Sequence, residues 1–329
     1  KENIIAKNAI KNLYFTSLSS LIIILSFFLI PKIIEVNKSQ FFLTQETENN
    51  SKNLFDKKLK KKFESTKDIN KKLNPKNLFE DVFQFNETPE DTVRLSAIII
   101  EQLFKETNYN LKDVRKNKLV KPINLDLLPG EMKSIENIKK RKNLFIKIIL
   151  PLILEENKLI KLDRKKLFSI LNKNKNSIFE KKWLDRKFKQ YGVTNRDLSI
   201  LKVRMDIIPV SLVIAQAAKE SGWGTSRFAL EGNALFGQWT WSGEGIKPAG
   251  ADNESTHKVM KFKILQASVR AYQRNLNTHS GYKKFRMVRA EQRDNNRDLN
   301  SLLLVNYLDK YAETGEQYIK IVKKINSTE

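Results

Sequence analysis

The chain opens with a long uninterrupted apolar run. Residues 13–30 read LYFTSLSSLIIILSFFLI and contain no charged residue. As a helix rising about 1.5 Å per residue, this run reaches roughly 27 Å, close to the hydrocarbon thickness of a bilayer. Lys1, Lys7 and Lys11 precede it, and positive charge stays on the cytoplasmic side. We therefore expect residues 1–35 to form a cytoplasmic tip and a single-pass signal anchor in the inner membrane, with the rest of the chain on the periplasmic side.

A cleaved signal peptide is the alternative interpretation of this run. Cleavage sites follow a small-x-small pattern such as Ala-x-Ala, whereas Pro31, Lys32 and Ile33 come next here. The sequence therefore favours an anchor that is retained.

The hydropathy pattern divides the remaining chain into three parts. Residues 36–88 are polar, charged and poor in aromatic residues, which is typical of a tether. Beyond them apolar residues recur at helical spacing, with patterns at 143–156, 164–173, 177–189 and 194–203. Pro151 is expected to kink or end the helix in which it lies. We predict a polar tether at 36–88, a helical N-terminal region at 89–190 and a further, mostly helical domain at 191–329.

The segment 209–241 carries the best candidate for catalysis. Pro209 suits the first position of a helix, and Gly222 is a natural stop. Glu220 therefore falls in the last turn, where the helix dipole and an apolar flank such as Trp223 both disfavour negative charge. Both effects raise the pKa of a carboxyl, as a general acid at a glycosidic oxygen requires. The local pattern alone favours the alternative, a surface glutamate that happens to end a helix.

The sequence AQAAKESGWGTSRFALEGNALFG at 215–237 resembles the glucosaminidase motif of glycoside hydrolase family 73. That motif runs Ala-Gln-x-x-x-Glu-Ser-x-Trp-Gly-x-Ser, then Asn-x-Leu-Phe-Gly. It is matched at Ala215, Gln216, Glu220, Ser221, Trp223, Gly224, Ser226, Asn233, Leu235, Phe236 and Gly237. The segments KNLFIKIILPLILEEN, AYQRNLNTHSGYKKFR and KYAETGEQYIKIV are similar to the bacterial Bax-type proteins of this family. The resemblance covers about residues 90–325.

The resemblance implies an α+β, mostly α, lysozyme-like catalytic domain with a short β-hairpin and a sugar-binding cleft. It implies an endo-β-N-acetylglucosaminidase that cleaves the glycan strand of peptidoglycan at N-acetylglucosamine. The family's acid matches Glu220. Its tyrosine in the pattern Tyr-Ala-x-x-x-x-x-Tyr matches Tyr311, beside the reacting sugar, and Tyr318 is the second aromatic residue.

The partner carboxylate of Glu220 is less clearly marked. Hydrolysis with two carboxylates needs a nucleophile or base across the sugar from the acid. In family 73 it lies in a β-hairpin after the Leu-Phe-Gly segment, and here THKVMKFKIL alternates like a hairpin arm. Glu254 is our prediction for this residue, ahead of Asp252, with Glu244 also nearby. Without such an acid, the 2-acetamido group of the substrate could assist, or Glu220 could act alone as in lytic transglycosylases.

Aromatic and amide side chains around the motif suit a carbohydrate ligand. The apolar faces of sugars stack on aromatic rings, and their hydroxyls need polar partners. The aromatic candidates are Trp223, Phe236, Trp239, Trp241, Tyr311 and Tyr318, and the polar candidates are Gln216, Asn233 and Gln238. We expect Trp223 and Phe236 to be mainly structural, and Trp239 and Trp241 to be more exposed to ligand.

The charge of the chain narrows the choice of partners. It carries 61 Lys and Arg against 37 Asp and Glu, a formal net charge of +24. Such an excess implies a polyanionic neighbour. The basic run at 57–62 is not accompanied by a nucleic-acid-binding motif, and an exported domain would not meet nucleic acid. The charge therefore suits anionic lipid or an acidic wall polymer.

The chain has no cysteine and only two histidines, His257 and His279. Disulfides and thiolate metal sites are excluded, and neither histidine lies in a metal-binding helix motif. We predict no metal and no cofactor. The remaining rival from another class is an inactive hydrolase domain that binds the cell wall.

Overall fold

The computed structural model describes residues 75–83, 92–240, 245–248 and 258–328, all of which belong to one compact unit. The predicted anchor and most of the predicted tether lie outside these ranges. Within the ranges, no helix is long and apolar enough to cross a membrane. The anchor and the predicted domain boundaries therefore stay predictions.

Helices dominate the described residues. They are α1 (Pro75–Phe83), α2 (Ala97–Glu106), α3 (Leu111–Asn117), α4 (Ile138–Leu171), α5 (Ile178–Gln190), α6 (Leu198–Arg204), α7 (Val210–Ser221), α8 (Arg227–Gly232), α9 (Leu265–Thr278), α10 (Lys283–Asp294), α11 (Ser301–Val305) and α12 (Gly315–Thr328). Short 3-10 turns lie at Gly130–Ser134 and Ser280–Tyr282. With the small sheet described next, the fold class is α+β and mostly α, which confirms that part of the prediction.

The sheet has three short antiparallel strands, β1 (Trp239–Thr240), β2 (Gly245–Ile246) and β3 (Lys258–Met260), in the order β1-β3-β2. Trp239 pairs with Val259, and Gly245 pairs with Met260. The sheet approaches α8 closely, since a Cβ on Gly232 would lie 2.7 Å from the side chain of Ile246. The short β segment expected after the Leu-Phe-Gly motif is therefore present.

Helix α4 continues through Pro151, the proline that was expected to kink or end it. The helix spans 34 residues with Pro151 inside, so it does not end at this proline, and the patterns at 143–156 and 164–173 belong to one helix. A proline in a helix leaves the carbonyl of residue i−4 without its N–H partner. Here that carbonyl belongs to Lys147, and it accepts the hydroxyl of Tyr109 at 3.2 Å. A partner from outside the helix thus replaces the missing bond.

Helix α7 lies inside the main core, packed against α4, α11 and α12. Its apolar residues are small or branched, and Leu212, Val213, Ala215 and Ala217 are fully buried. Small side chains allow neighbouring helices to approach closely. A polar group near the end of α7 is therefore enclosed by several elements at once.

Helix α1 lies in the segment predicted to be a tether, yet it packs against α9 and α5. Its Asp81 forms an ion pair with the buried Arg274 of α9 at 2.8 Å. Its Val82 is buried in a cluster with Met260 and Phe262, at the base of β3. Residues 75–83 are thus docked beside the small sheet.

Candidate active site

Glu220 lies in the last turn of α7, at a helix end that local bonds define. Gly222 ends the helix in a left-handed conformation, with φ 58°, and its N–H bonds to the carbonyl of Ala218. The hydroxyl of Ser221 accepts the N–H of Gly224 at 2.9 Å. These bonds fix the turn that follows Glu220, whose side chain is half-buried.

Trp223, the expected apolar flank of Glu220, packs against α4. Its ring lies edge-on to Phe145, with centroids 6.0 Å apart, and the ammonium of Lys142 lies 4.3 Å from its centre. Gly224 follows with φ 81°, and a Cβ there would lie 2.9 Å from Phe145. This turn therefore anchors the end of α7 to α4.

The Leu-Phe-Gly segment passes directly beside the carboxyl group. Asn233 ends α8 in a left-handed conformation, and its amide donates to the carbonyls of Phe262 and Lys263 at 3.0 and 2.9 Å. Gly237 has φ 59°, and a Cβ there would lie 3.5 Å from Oε2 of Glu220. The backbone of this segment thus forms one wall of the site.

Four tyrosines from other elements lie near enough to this carboxyl to interact with its charge. They are Tyr272 of α9, Tyr282 of the second 3-10 turn, Tyr311 before α12, and Tyr318 of α12. Tyr311 stacks on Tyr318 with centroids 5.5 Å apart, and its ring lies 6.3 Å from Tyr272 and 6.1 Å from Tyr282. Burial raises the pKa of all four phenols, that of Tyr282 to about 12, and the negative charge of Glu220 adds to the effect.

The pKa of Glu220 is raised above its ordinary value. Burial is the largest cause, while hydrogen bonding from Tyr318 and the positive charge of Lys219 act in the opposite direction. The direction is the one expected from sequence. The cause of the raised pKa is burial of Glu220 among several elements. Trp223, the apolar flank expected from sequence, packs against Phe145 and Lys142 of α4. A raised pKa favours the protonated form of the carboxyl, which is the form that a general acid uses.

Gln216, predicted to contact sugar hydroxyls, is completely buried. The hydroxyl of Tyr272 donates to its Oε1 at 2.6 Å, and its Nε2 donates to the hydroxyl of Tyr318 at 2.8 Å. Both ends of the amide are therefore occupied by protein groups.

The other predicted contacts differ in exposure. Phe236 is buried and stacks on Tyr272 with ring centroids 4.0 Å apart. Gln238 is half-buried, and its backbone carbonyl accepts the N–H of Met260 at 2.7 Å. Trp239 is 46% exposed and follows the wall segment on β1, so of these residues it offers the largest open aromatic surface.

Several predicted residues lie outside the described residues: Trp241, Glu244, Asp252 and Glu254. The second carboxylate therefore stays a prediction. Across the described ranges, no group of three or more His, Cys, Asp or Glu side chains could hold a metal ion.

Sequence reasoning missed Tyr272 and Tyr282 as parts of the site. Both lie in the segment AYQRNLNTHSGYKKFR, which was noted for its resemblance but has no catalytic pattern of its own. The available signal was Tyr272 at the centre of an amphipathic helical pattern, next to the apolar positions Val269, Ala271 and Leu276. Such a tyrosine needs a hydrogen-bond partner in the core.

A family model and a curated protein each match part of this chain. Residues 197–327 match the glucosaminidase family model, described as mannosyl-glycoprotein endo-beta-N-acetylglucosaminidase. The chain is also 33% identical over 184 residues to Protein bax of Escherichia coli (strain K12). The aligned region covers 54% of this chain and 66% of that protein. No solved structure matches the chain.

Proposed function

We propose that this chain, which carries a glucosaminidase domain of the Bax type, is a peptidoglycan hydrolase with Glu220 as its general acid. Its domain would have a lysozyme-like arrangement and cleave the glycan strand at N-acetylglucosamine. The observation that carries the proposal is the half-buried Glu220 with a raised pKa, enclosed by the Leu-Phe-Gly wall and four tyrosines. A carboxyl that only stabilised the fold would not need this setting.

The chemistry follows from the protonated state of Glu220. Its carboxyl donates a proton to the glycosidic oxygen as the bond from that oxygen to the anomeric carbon breaks. The electron pair of that bond leaves with the oxygen, and positive charge develops on the sugar ring. The carboxylate left on Glu220 accepts a hydrogen bond from Tyr318, which stabilises its new charge.

The second step needs a group opposite Glu220. Glu254 in the proposed hairpin loop is our candidate for activating water or forming a glycosyl intermediate. In the latter case water attacks the intermediate, and Glu220 takes the proton of that water. Trp239 is proposed to stack on a neighbouring sugar, since its ring is nearly half exposed beside the wall.

The test compares wild type, Glu220→Gln and Glu231→Gln on purified peptidoglycan. Glu231 is a matched control because it is exposed and lies on α8, close to the site in sequence. We expect wild type and Glu231→Gln to clear a zymogram equally, and Glu220→Gln to lose at least about 100-fold in rate. Equal clearing by Glu220→Gln would show that this carboxyl is not the acid.

Mass spectrometry of the released fragments separates the alternatives. Reducing N-acetylglucosamine ends support the proposal, whereas anhydro-muramic ends identify a lytic transglycosylase. Binding to peptidoglycan without release of fragments, in wild type as well, identifies an inactive wall-binding protein.

We also propose that residues 1–35 anchor the chain in the inner membrane and leave the domain on the periplasmic side. The net charge of +24 would then favour anionic lipid or an acidic wall polymer near the domain. This contribution should weaken as salt is added. Binding to walls or vesicles that is equal at low and high salt would contradict it.

A further inference from the structure

We propose that Tyr272 and Gln216 are positioning residues that direct the hydroxyl proton of Tyr318 toward Glu220. The inference rests on the proposed function for its catalytic meaning, but its structural content is independent of any activity. The three side chains form a continuous hydrogen-bonded series that leads from α9 through α7 to α12.

The series begins with the relation of two residues on one helix. Gln216 and Glu220 are four positions apart on α7, so they lie on the same face one turn from each other. Tyr318 of α12 packs against this face and interacts with both side chains. One hydroxyl therefore connects the buried amide to the candidate acid.

The orientation of the Gln216 amide decides which way Tyr318 donates. A hydroxyl group can donate one hydrogen bond through its proton and can also accept hydrogen bonds at its oxygen. Because Nε2 of Gln216 donates to the oxygen of Tyr318, the proton of Tyr318 is left for another acceptor. On this proposal the acceptor is the carboxyl of Glu220, whose pKa is lowered by interaction with Tyr318.

Tyr272 fixes this orientation. Its hydroxyl donates to Oε1 of Gln216 at 2.6 Å, which holds the carbonyl end of the amide toward α9. If the amide were reversed, Oε1 would face Tyr318 and compete with Glu220 for its proton. Tyr272 thus acts on Glu220 through two intervening residues, without contact with the reacting atoms.

Two opposing effects act on the pKa of Glu220. Burial raises the pKa of this carboxyl, and hydrogen bonding from Tyr318 lowers it. Without the interaction with Tyr318, burial would raise this pKa further. The titratable groups that face Glu220 are Lys219 on its own helix, Tyr272 on α9, Tyr282 on the 3-10 turn, Tyr311 before α12 and Tyr318 on α12.

A buried glutamine that only satisfies two tyrosines would look similar in the structure. The titration midpoint of Glu220 distinguishes the positioning role from a purely structural one. Loss of a bond that only stabilises the core would leave this midpoint unchanged. Tyr272→Phe is the sharpest variant because the ring stacked on Phe236 remains and only the hydroxyl is lost. Gln216→Met removes both amide bonds while keeping a long unbranched side chain.

The test follows the side-chain carboxyl carbon of Glu220 by nuclear magnetic resonance in the whole chain labelled with ¹³C-glutamate. The resonance missing from Glu220→Gln assigns it. We expect Tyr318→Phe, Gln216→Met and Tyr272→Phe to raise the titration midpoint by about half a pH unit or more. The upper limb of the pH profile of kcat/KM should move up by the same shift.

Tyr109→Phe is the matched control for removal of a buried tyrosine hydroxyl. Tyr109 is buried and bonded to the carbonyl of Lys147, away from Glu220. The variant Tyr109→Phe should therefore leave the titration midpoint of Glu220 unchanged. Midpoints in Tyr272→Phe and Gln216→Met equal to that of Tyr109→Phe would overturn the proposal, even if Tyr318→Phe shifts.

The two proposals fail separately. A shifted midpoint in a protein that does not cleave peptidoglycan supports the positioning series and refutes the hydrolase. Cleavage that depends on Glu220, with no shift in the two variants, supports the hydrolase and refutes the series. Thermal unfolding of each variant verifies that the folded protein is being titrated.

Discussion

The hydroxyl of Tyr311 lies 3.0 Å from the backbone carbonyl oxygen of Phe236 and donates a hydrogen bond to it. This bond ties the segment before α12 to the Leu-Phe-Gly wall, directly before Gly237. The residue matched to the family tyrosine therefore holds the wall in place, in addition to the ligand-facing role predicted for it.

Loss of that bond should loosen the wall while leaving the tyrosine stack intact. We expect Tyr311→Phe to lower the free energy of unfolding by about 1 kcal/mol, because the carbonyl of Phe236 loses its partner. That corresponds to a fall of about 2–4 °C in Tm for a domain of this size. Turnover should also fall because the wall beside Glu220 is less rigid. Tyr307→Phe, at a half-buried tyrosine, is the control, and equal losses in both variants would contradict the assignment.

Gly237 should tolerate no side chain. Its φ of 59° costs about 1–2 kcal/mol for a residue with a Cβ, and that Cβ would lie 3.5 Å from Oε2 of Glu220. We expect Gly237→Ala to reduce hydrolysis at least about tenfold and to lower Tm. Gly130→Ala is the control, since its Cβ would meet only Arg94 at 3.8 Å and its φ is not positive. Full activity in Gly237→Ala would mean that the wall does not approach the reacting sugar.

The raised pKa of Glu220 predicts a dependence of stability on pH. Since the folded protein holds this proton more tightly than the unfolded chain, the stabilisation is present below the ordinary carboxyl pKa. It is lost as pH rises through the folded pKa. Glu220→Gln, which stays neutral, should therefore be more stable than wild type at neutral pH, and the difference should close in acid. Denaturant unfolding at several pH values measures it, with Glu231→Gln as control. If the difference in unfolding free energy between Glu220→Gln and wild type grew in acid, the pKa of Glu220 would not be raised in the folded protein.

Asp206 should behave in the opposite way. Burial would raise the pKa of its carboxyl, but the guanidinium groups of Arg164, Arg289 and Arg293 outweigh it and hold the pKa well below its ordinary range. Arg289 is fully buried. Removal of the charge in Asp206→Asn leaves that guanidinium without its counter-charge, at a cost of about 3–5 kcal/mol.

The stability that Asp206 contributes is present above the ordinary carboxyl pKa and is lost as pH falls through the folded pKa. The deficit of Asp206→Asn should therefore be largest near neutral pH and shrink only in strong acid. Unfolding in denaturant measures it, and Asp298→Asn, at an exposed position, should be within about 0.5 kcal/mol of wild type. A deficit as small as that of the control would mean that the arginines do not depend on Asp206.

Much of the fold around Glu220 could be predicted because its causes are local in the chain. Pro209 is the N-cap of α7, one position before the helical position expected for it, and the left-handed Gly222 ends the helix as predicted. The periodic apolar positions predicted burial, and the helix signals placed the candidate acid Glu220 in the last turn of α7. Pro151 shows the limit of such rules, since its effect depended on Tyr109, which lies 38 residues from Lys147 in the chain.

The sequence by itself determined that a carboxyl would end a buried helix in a mostly helical domain, because helix caps and periodicity depend on near neighbours. Only the tertiary structure decided what surrounds that carboxyl. Gln216 meets Tyr318 across 102 positions and Tyr272 across 56, and Tyr311 meets Phe236 across 75. No local pattern encodes such pairs, because they arise when the packing of α7, α9 and α12 leaves polar groups in an apolar core that must find partners.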